Sequence, residues 1–160
     1  MTLFDALPSD CDLWPASAPS RRRLVEGLLG RFQAAFPDIA YDVLWQTPVV
    51  NAQAFWSQAR PHVRLYGGLA RHRRASAAGI AYALAHETGH HLGGAPRHEI
   101  YIWLSSEARA DAWAEETGLE QVLGHELGQR YAKLGRRQLA RLLRLNERGG
   151  VVLQGAASGT

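Results

Sequence analysis

The sequence predicts an α+β domain in which a short sheet, mixed or antiparallel, packs on one long helix and several further helices. Two short runs rich in β-branched and aromatic residues, 41–46 and 62–66, indicate strands. Apolar residues at helical spacing indicate a long helix after residue 76 and two more helices behind it. With 160 residues, 46% of them apolar and 21% charged, the chain is expected to form a single globular domain over 1–160.

The N-terminal third is predicted to contain an irregular arm and one helix before the strands. Residues 1–19 hold three prolines and show no sustained period, so they are expected to form the arm. Ser20 suits the N-cap of a helix over about 21–36. The segment 47–61, between the two predicted strands, favours neither a helix nor a strand.

The C-terminal half is predicted to be helical. Ser76 suits the N-cap of the long helix, and a run of glycine and proline ends that helix after residue 92. A second helix is expected from about 105 to 116 or beyond, and a third over about 129–147, with a loose tail at 149–160. The residues expected to face inward from the third helix are Tyr131, Leu134, Leu142 and Leu145.

Composition excludes several classes of protein. The one cysteine, Cys11, rules out a disulfide scaffold and a Cys-rich zinc finger. No apolar run approaches the roughly 20 residues that a membrane-spanning helix needs, and the N-terminus lacks the pattern of a secretory signal. The sequence therefore predicts a soluble, cytoplasmic protein.

Positive charge is concentrated near the C-terminus. The net charge is +3 and the pI is about 9.4. The segment 120–148 carries seven bases against three acids, and smaller basic clusters lie at 21–23 and 71–74. An Arg-rich helix over 129–148 could bind the phosphates of a nucleic acid, although a solvated helix face is the more common role of such a run.

The long helix contains the pattern H-E-x-x-H at residues 86–90. Residues four apart lie about 40° apart around a helix and one turn apart along it, so His86 and His90 can bind one metal ion from the same face. Imidazole nitrogens suit zinc, and Glu87 lies where a general base could reach a water on the metal without being a ligand. Two other His-Glu pairs, at 98–99 and 125–126, have no histidine four residues on and cannot complete such a site.

A catalytic zinc site needs a third protein ligand, and the next helix offers one. A metzincin would place a histidine at position 96, which is proline here, so that pattern fails. Glu107 and Asp111 are four residues apart and share a helix face. Glu107 can ligate the metal while Asp111 holds the far ring nitrogen of a ligand histidine, expected to be His86. The small residues that would let the two helices approach closely are Gly89, Ala108 and Ala112.

Taken together, these motifs resemble a known family. The strand at 62–66, the helix reading A-L-A-H-E-x-G-H at 83–90 and the helix reading E-A-R-A-D-A-W-A at 107–114 are similar to the gluzincin zinc metallopeptidases, in particular to the HtpX-like and CAAX-prenyl endopeptidase group and its short soluble relatives, the minigluzincins. The resemblance covers roughly 62–120 and implies a small zincin-like catalytic domain. It implies one zinc ion on His86, His90 and Glu107, Glu87 as base and Asp111 as the residue orienting histidine. It also implies an edge strand that holds peptide substrate, formed by His62, Val63, Arg64, Leu65 and Tyr66.

The expected function is therefore a zinc-dependent endopeptidase, active or latent, that hydrolyses peptide or protein substrates with a zinc-bound water activated by Glu87. The large membrane-embedded members of the family have membrane helices that this chain lacks. Two alternatives stay open: a DNA- or regulator-associated metallopeptidase that uses the basic helix, and a non-catalytic zinc-binding interaction domain. Spacing does not separate the candidates for stabilising the transition state, which are Tyr101, Arg109, His125 and Tyr131.

Overall fold

The computed structural model describes residues 10–147, which form six α-helices and a three-stranded sheet. The strands are β1 (Ala40–Leu44), β2 (Ala52–Ser57) and β3 (Arg60–Tyr66). A short 3₁₀ turn at Asp10–Asp12 precedes the first helix, and a π-helical segment at Ala114–Gly118 follows the fourth. The helices are α1 (Pro19–Ala35), α2 (Gly67–Ala70), α3 (Ala77–Leu92), α4 (Glu107–Trp113), α5 (Leu119–Leu123) and α6 (His125–Glu147).

The sheet is mixed, which confirms the α+β prediction. Its strand order is β1-β3-β2, with β1 parallel and β2 antiparallel to β3. Strand β2 lies in the segment 47–61, for which neither a strand nor a helix was predicted. The β2–β3 turn places Gln58 and Ala59 in the left-handed region, at φ of 51° and 56°. Such turns usually contain glycine or asparagine, so the ordinary signal for a hairpin was missing.

The prediction that residues 62–66 form an edge strand is wrong. Strand β3 is hydrogen-bonded to β1 on one side and to β2 on the other, so it is the central strand of the sheet. Within it, Val63 and Leu65 are completely buried, as expected for a strand covered on both edges. Strand β2 contacts the long helix α3. One of its edges pairs with β3 and the other pairs with no described strand, so β2 is an edge strand.

Helix α3 lies at the centre of the fold. Every residue from Ala78 to His90 is buried, and the helix contacts β2 and β3 as well as α1, α4 and α6. Its N-terminus follows the prediction, since the Ser76 side chain accepts a hydrogen bond from the backbone of Ala78. A helix buried all round is fixed in position, and this one carries the H-E-x-x-H pattern into the interior.

A close approach of α3 and α4 depends on one glycine. A Cβ at Gly89 would lie 2.7 Å from the Ala110 carbonyl oxygen, too close for any side chain. The sequence predicted a close contact here, but with Ala108 and Ala112 as partners. Ala108 is exposed, and the buried residue opposite Gly89 is Ala110. Helix α4 starts at Glu107 because Ser106 caps it, accepting from the backbone of Arg109.

Helix α6 begins at His125, one turn earlier than predicted. Its buried side includes Leu139 and Leu142, whereas Leu134, predicted to face inward, is 42% exposed. The side chain of Leu145 lies outside the described residues, as do the predicted tail at 149–160 and the start of the N-terminal arm. Among the residues described, no helix combines the length and apolar character that crossing a membrane requires.

Candidate metal centre

Three side chains meet where α3 and α4 come together. The ligand atoms of His86, His90 and Glu107 all lie within 4.8 Å of one another. The Nε2 atoms of His86 and His90 are 3.3 and 3.6 Å from the two carboxylate oxygens of Glu107. The imidazole rings are 4.8 Å apart and perpendicular. The structure thus brings together the three ligands that the sequence predicted, in a cluster that could hold a metal ion.

Each histidine is fixed through its other ring nitrogen. Nδ1 of His86 lies 2.8 Å from Oδ1 of Asp111, as predicted from the four-residue spacing on α4. Nδ1 of His90 lies 2.8 Å from the backbone carbonyl of Ser105. A carbonyl can only accept, so the His90 proton is on Nδ1. The Ser105 contact was missed, because a backbone oxygen leaves no signal in the sequence.

The surroundings keep both imidazoles neutral. Burial lowers the pKa of His90 to about 3 and that of His86 below its ordinary value. With the proton on Nδ1, a neutral ring presents its Nε2 lone pair to the cluster. Two nitrogen lone pairs and the Glu107 carboxylate therefore converge on one point, which is the donor set of a cation site.

The two sides of the cluster differ in access to solvent. The side chains of His86 and His90 are 0% and 5% exposed, whereas that of Glu107 is 47% exposed. A metal ion bound here would be held from the interior by imidazoles and from the surface by a carboxylate. The cluster is therefore reached by solvent on the Glu107 side.

Glu87 is the buried acid next to the first ligand. Burial raises the pKa of its carboxyl to about 7, and a hydrogen bond with the backbone of Ala54 in β2 partly opposes that rise. Its Oε1 atom is buried and has no hydrogen-bond partner among the described residues. An unsatisfied buried carboxyl oxygen is costly for a structural residue and typical of a group that handles protons.

A second layer of polar groups surrounds Asp111. The Tyr82 hydroxyl lies 3.1 Å from Oδ1 of Asp111 and 2.9 Å from Oε1 of Glu115, and Arg136 of α6 pairs with that same Glu115 oxygen at 2.6 Å. Burial would raise the pKa of Asp111, but hydrogen bonds from His86 and Tyr82 bring it below its ordinary value. The carboxylate that orients His86 is thus kept charged. Tyr82 and Glu115 were missed because they come close only through the packing of α3, the π-helical segment and α6.

The four candidates for transition-state stabilisation are separated by their contacts. The Arg109 guanidinium donates to the Gly93 carbonyl, His125 lies beside Glu120, and Tyr131 packs against the margin of the core. Tyr101 lies on the segment next to the cluster. Its ring is 5.2 Å from the ring of His98, which in turn is 6.5 Å from that of His90.

The residues predicted to bind substrate as an edge strand are engaged inside the sheet. Arg64 forms a two-pronged ion pair with Asp42 of β1, and Tyr66 donates to the Gln53 side chain of β2. The carbonyl of His62 accepts a hydrogen bond from Nε2 of His91, the residue after the second metal ligand. Val63 and Leu65 are buried, and β3 packs against α3 from the middle of the sheet. The strand at the edge of the sheet on this side is β2.

Comparison with known proteins adds no relative. The chain matches no protein-family model, no curated protein and no solved structure. The function of the cluster is therefore argued from its geometry and from the chemistry of its residues.

Proposed function

We propose that this chain is a zinc-dependent metallopeptidase of the gluzincin type, with His86, His90 and Glu107 as zinc ligands and Glu87 as general base. The observation that carries the proposal is the convergence of these three ligand atoms within 4.8 Å, two from α3 and one from α4, next to the buried acid Glu87 on α3. On an ordinary solvated helix, the ligand side chains would not converge on one point and the acid would not be buried.

The donor set favours zinc over harder cations. Two neutral imidazoles and one carboxylate are typical of catalytic zinc, whereas magnesium and calcium prefer oxygen ligands alone. Three protein ligands leave a fourth position for water or substrate. The hydrogen bonds that His86 and His90 donate to Asp111 and to the Ser105 carbonyl support this assignment, since ligand histidines usually have their far nitrogen held in the same way.

In the proposed reaction each residue has a separate role. A bound zinc ion would supply Lewis-acid polarisation of the substrate carbonyl and acidify water. Glu87, buried next to the ligand His86, would accept a proton from the attacking water and return it to the leaving amine. Of the four candidates we assign Tyr101 as hydrogen-bond donor to the developing oxyanion, because its ring contacts that of His98, which lies near the ring of His90.

Strand β2 is where we expect an extended substrate to bind. It is an edge strand of the sheet, and the backbone of its Ala54 hydrogen-bonds the general base. A peptide that added to this edge by main-chain hydrogen bonds would run past Glu87 and the zinc ligands. Affinity would then depend little on side chains, as is useful for an enzyme acting on unfolded segments.

The decisive experiment combines metal content with cleavage. After incubation with zinc and removal of excess metal, the wild type should hold one ion per chain and cleave an unfolded casein substrate. Glu87→Gln should keep the ion but lose a factor of about 10² to 10⁴ in kcat/KM. Glu126→Gln is the matched control, because Glu126 also follows a histidine but is exposed on α6.

Each other outcome has a definite meaning. Cleavage by Glu87→Gln at the wild-type rate would refute the mechanism. One zinc ion per chain without cleavage, before and after removal of residues 1–9 or 149–160, would favour the non-catalytic zinc-binding domain. Cleavage that appears only after such trimming would identify a latent enzyme.

A further inference from the structure

The fold joins the two basic clusters of the N-terminal half. Arg21 is buried, and its guanidinium donates to the backbone carbonyls of Ala70, His72 and Ala75 at 2.6, 3.2 and 2.7 Å. The cluster at 21–23 is thereby fixed against the cluster at 71–74, although some 50 residues separate them. Arg23 and Arg74, by contrast, are exposed.

The same region is joined to the basic helix α6. The side-chain oxygen of Gln138 accepts hydrogen bonds from the backbone and the hydroxyl of Ser76, at 3.0 and 2.9 Å. Ser76 follows Arg74 by two residues, and Gln138 lies between Arg137 and Arg141 on α6. The loop that carries Arg74 is therefore joined to the inward side of α6.

The cations of α6 occupy one side of the helix. Five of them fall within an arc of about 80°, spread over about 21 Å of helix. Leu139 and Leu142, which are buried, lie on the opposite side. One acid of α6, Glu126, shares the arc at its N-terminal end. The five residues are Arg130, Lys133, Arg137, Arg141 and Arg144, and all are exposed.

Three exposed or half-buried arginines elsewhere in the described residues are neutralised by ion pairs, and the cations of this region are not. Arg22, Arg64 and Arg136 form ion pairs with Glu26, Asp42 and Glu115. Within residues 10–147, by contrast, the structure shows no ion pair for the side chains of Arg23, Arg74 or the five α6 residues. We call the five α6 residues the basic face: Arg130, Lys133, Arg137, Arg141 and Arg144.

We propose that the basic face binds the phosphate backbone of double-stranded DNA without sequence preference. Four of its five cations are arginines, which recognise phosphate oxygens in a two-pronged geometry. The length of the α6 stripe matches the rise of about six nucleotides along one strand of a duplex. Counterion release from the duplex then drives binding.

A duplex fits this face better than a membrane does. Helices that bind bilayers insert an apolar side, but the apolar side of α6 is packed into the core. Among the α6 residues with described side chains, Leu134 is the one large apolar residue that is exposed. The face also contains no aromatic residue on which unpaired bases could stack, which disfavours a single strand.

The test is the salt dependence of binding to a fluorescently labelled 20-bp DNA duplex, measured by anisotropy on the full chain. Arg137→Gln/Arg141→Gln should bind about tenfold or more weakly at 50 mM salt, and the slope of log affinity against log salt should fall by about 1.8. Arg31→Gln/Arg97→Gln removes the same charge from exposed positions off the face and should stay within about twofold of the wild type. Arg137→Lys/Arg141→Lys should retain most of the slope.

Three results would overturn the proposal. They are the absence of duplex binding at 50 mM salt, equal losses in the two glutamine double variants, and binding to vesicles containing phosphatidylserine without binding to the duplex. Glu87→Gln should bind the duplex as the wild type does, because the proposed face does not include the metal cluster. The peptidase proposal can therefore fail while the DNA-binding proposal holds, and the DNA-binding proposal can fail while the peptidase proposal holds.

Discussion

The chain contains the dipeptide His-Glu three times, and the fold treats the copies at 86–87 and 125–126 in opposite ways. The side chain of His86 is 0% exposed and lies between Glu107 and Asp111. That of His125 is 65% exposed and lies 3.2 Å from Glu120. Glu87 is buried, whereas Glu126 is exposed on the surface of α6.

The difference shows that the dipeptide acquires chemistry only through its neighbours. At the first copy, the absence of a side chain on Gly89 lets α4 approach α3, and α4 then supplies two carboxylates. At the second copy, the histidine stands at the exposed start of a helix and has one acid beside it. Burial lowers the pKa values of His86 and His90, so both imidazoles are neutral, and it raises the pKa of Glu87. Both effects follow from where the fold places these residues.

The largest expected difference between the two copies is in metal binding. His90→Ala removes one of three ligands, and we expect the bound zinc to fall from one ion per chain to none after dialysis. His125→Ala should leave the ion in place. Metal analysis of the dialysed proteins, with circular dichroism as a check of folding, measures both. Equal zinc content in the two variants would show that the cluster is not the metal site.

The next expected difference is in the stability of the metal-free protein, where the buried Glu87 and the exposed Glu126 should act differently. The folded-state pKa of Glu87 is raised to about 7, so the folded chain holds a proton that the unfolded chain releases above about pH 4.5. The contribution of protonated Glu87 to the free energy of unfolding is therefore lost as the pH rises from about 4.5 to 7. Glu87→Gln should be more stable than the wild type by up to about 3 kcal/mol at pH 8, and by far less at pH 4.5.

Urea unfolding at the two pH values, in the presence of a chelator, measures this gain. Glu126→Gln controls for the loss of one carboxylate at an exposed position. A gain for Glu87→Gln that is the same at both pH values would contradict the buried, protonated state of Glu87.

A smaller effect should distinguish the acids that accompany the two histidines. Asp111→Asn removes the charge that orients His86, and we expect zinc affinity to fall about 10- to 100-fold. Glu120→Gln, beside His125, should change zinc affinity by less than about twofold. Competition with a chromophoric chelator gives both constants. An unchanged affinity in Asp111→Asn would mean that His86 is held in place by packing alone.

Much of the candidate site could be predicted from the sequence because its parts obey a local rule. His86 and His90 on one helix and Glu107 and Asp111 on another are pairs at four-residue spacing, which a helix places on one face whatever surrounds it. The helix caps at Ser76 and Ser106 are local in the same sense. Strand β2 and the central position of β3 were not predictable in this way, because strand order depends on pairing between distant segments.

Which side chains share a helix face can be read from the chain directly, since it depends on a few consecutive residues and on helix geometry alone. The packing of distant segments was needed to bring the two helix faces together, to put Ser105 and Tyr82 around the ligands, and to join the loop of Arg74 to α6. The last of these depends on hydrogen bonds between residues 62 apart in the chain, such as Ser76 and Gln138. Contacts of that kind are set by the packing of the whole core around α3, and no local pattern of residues contains them.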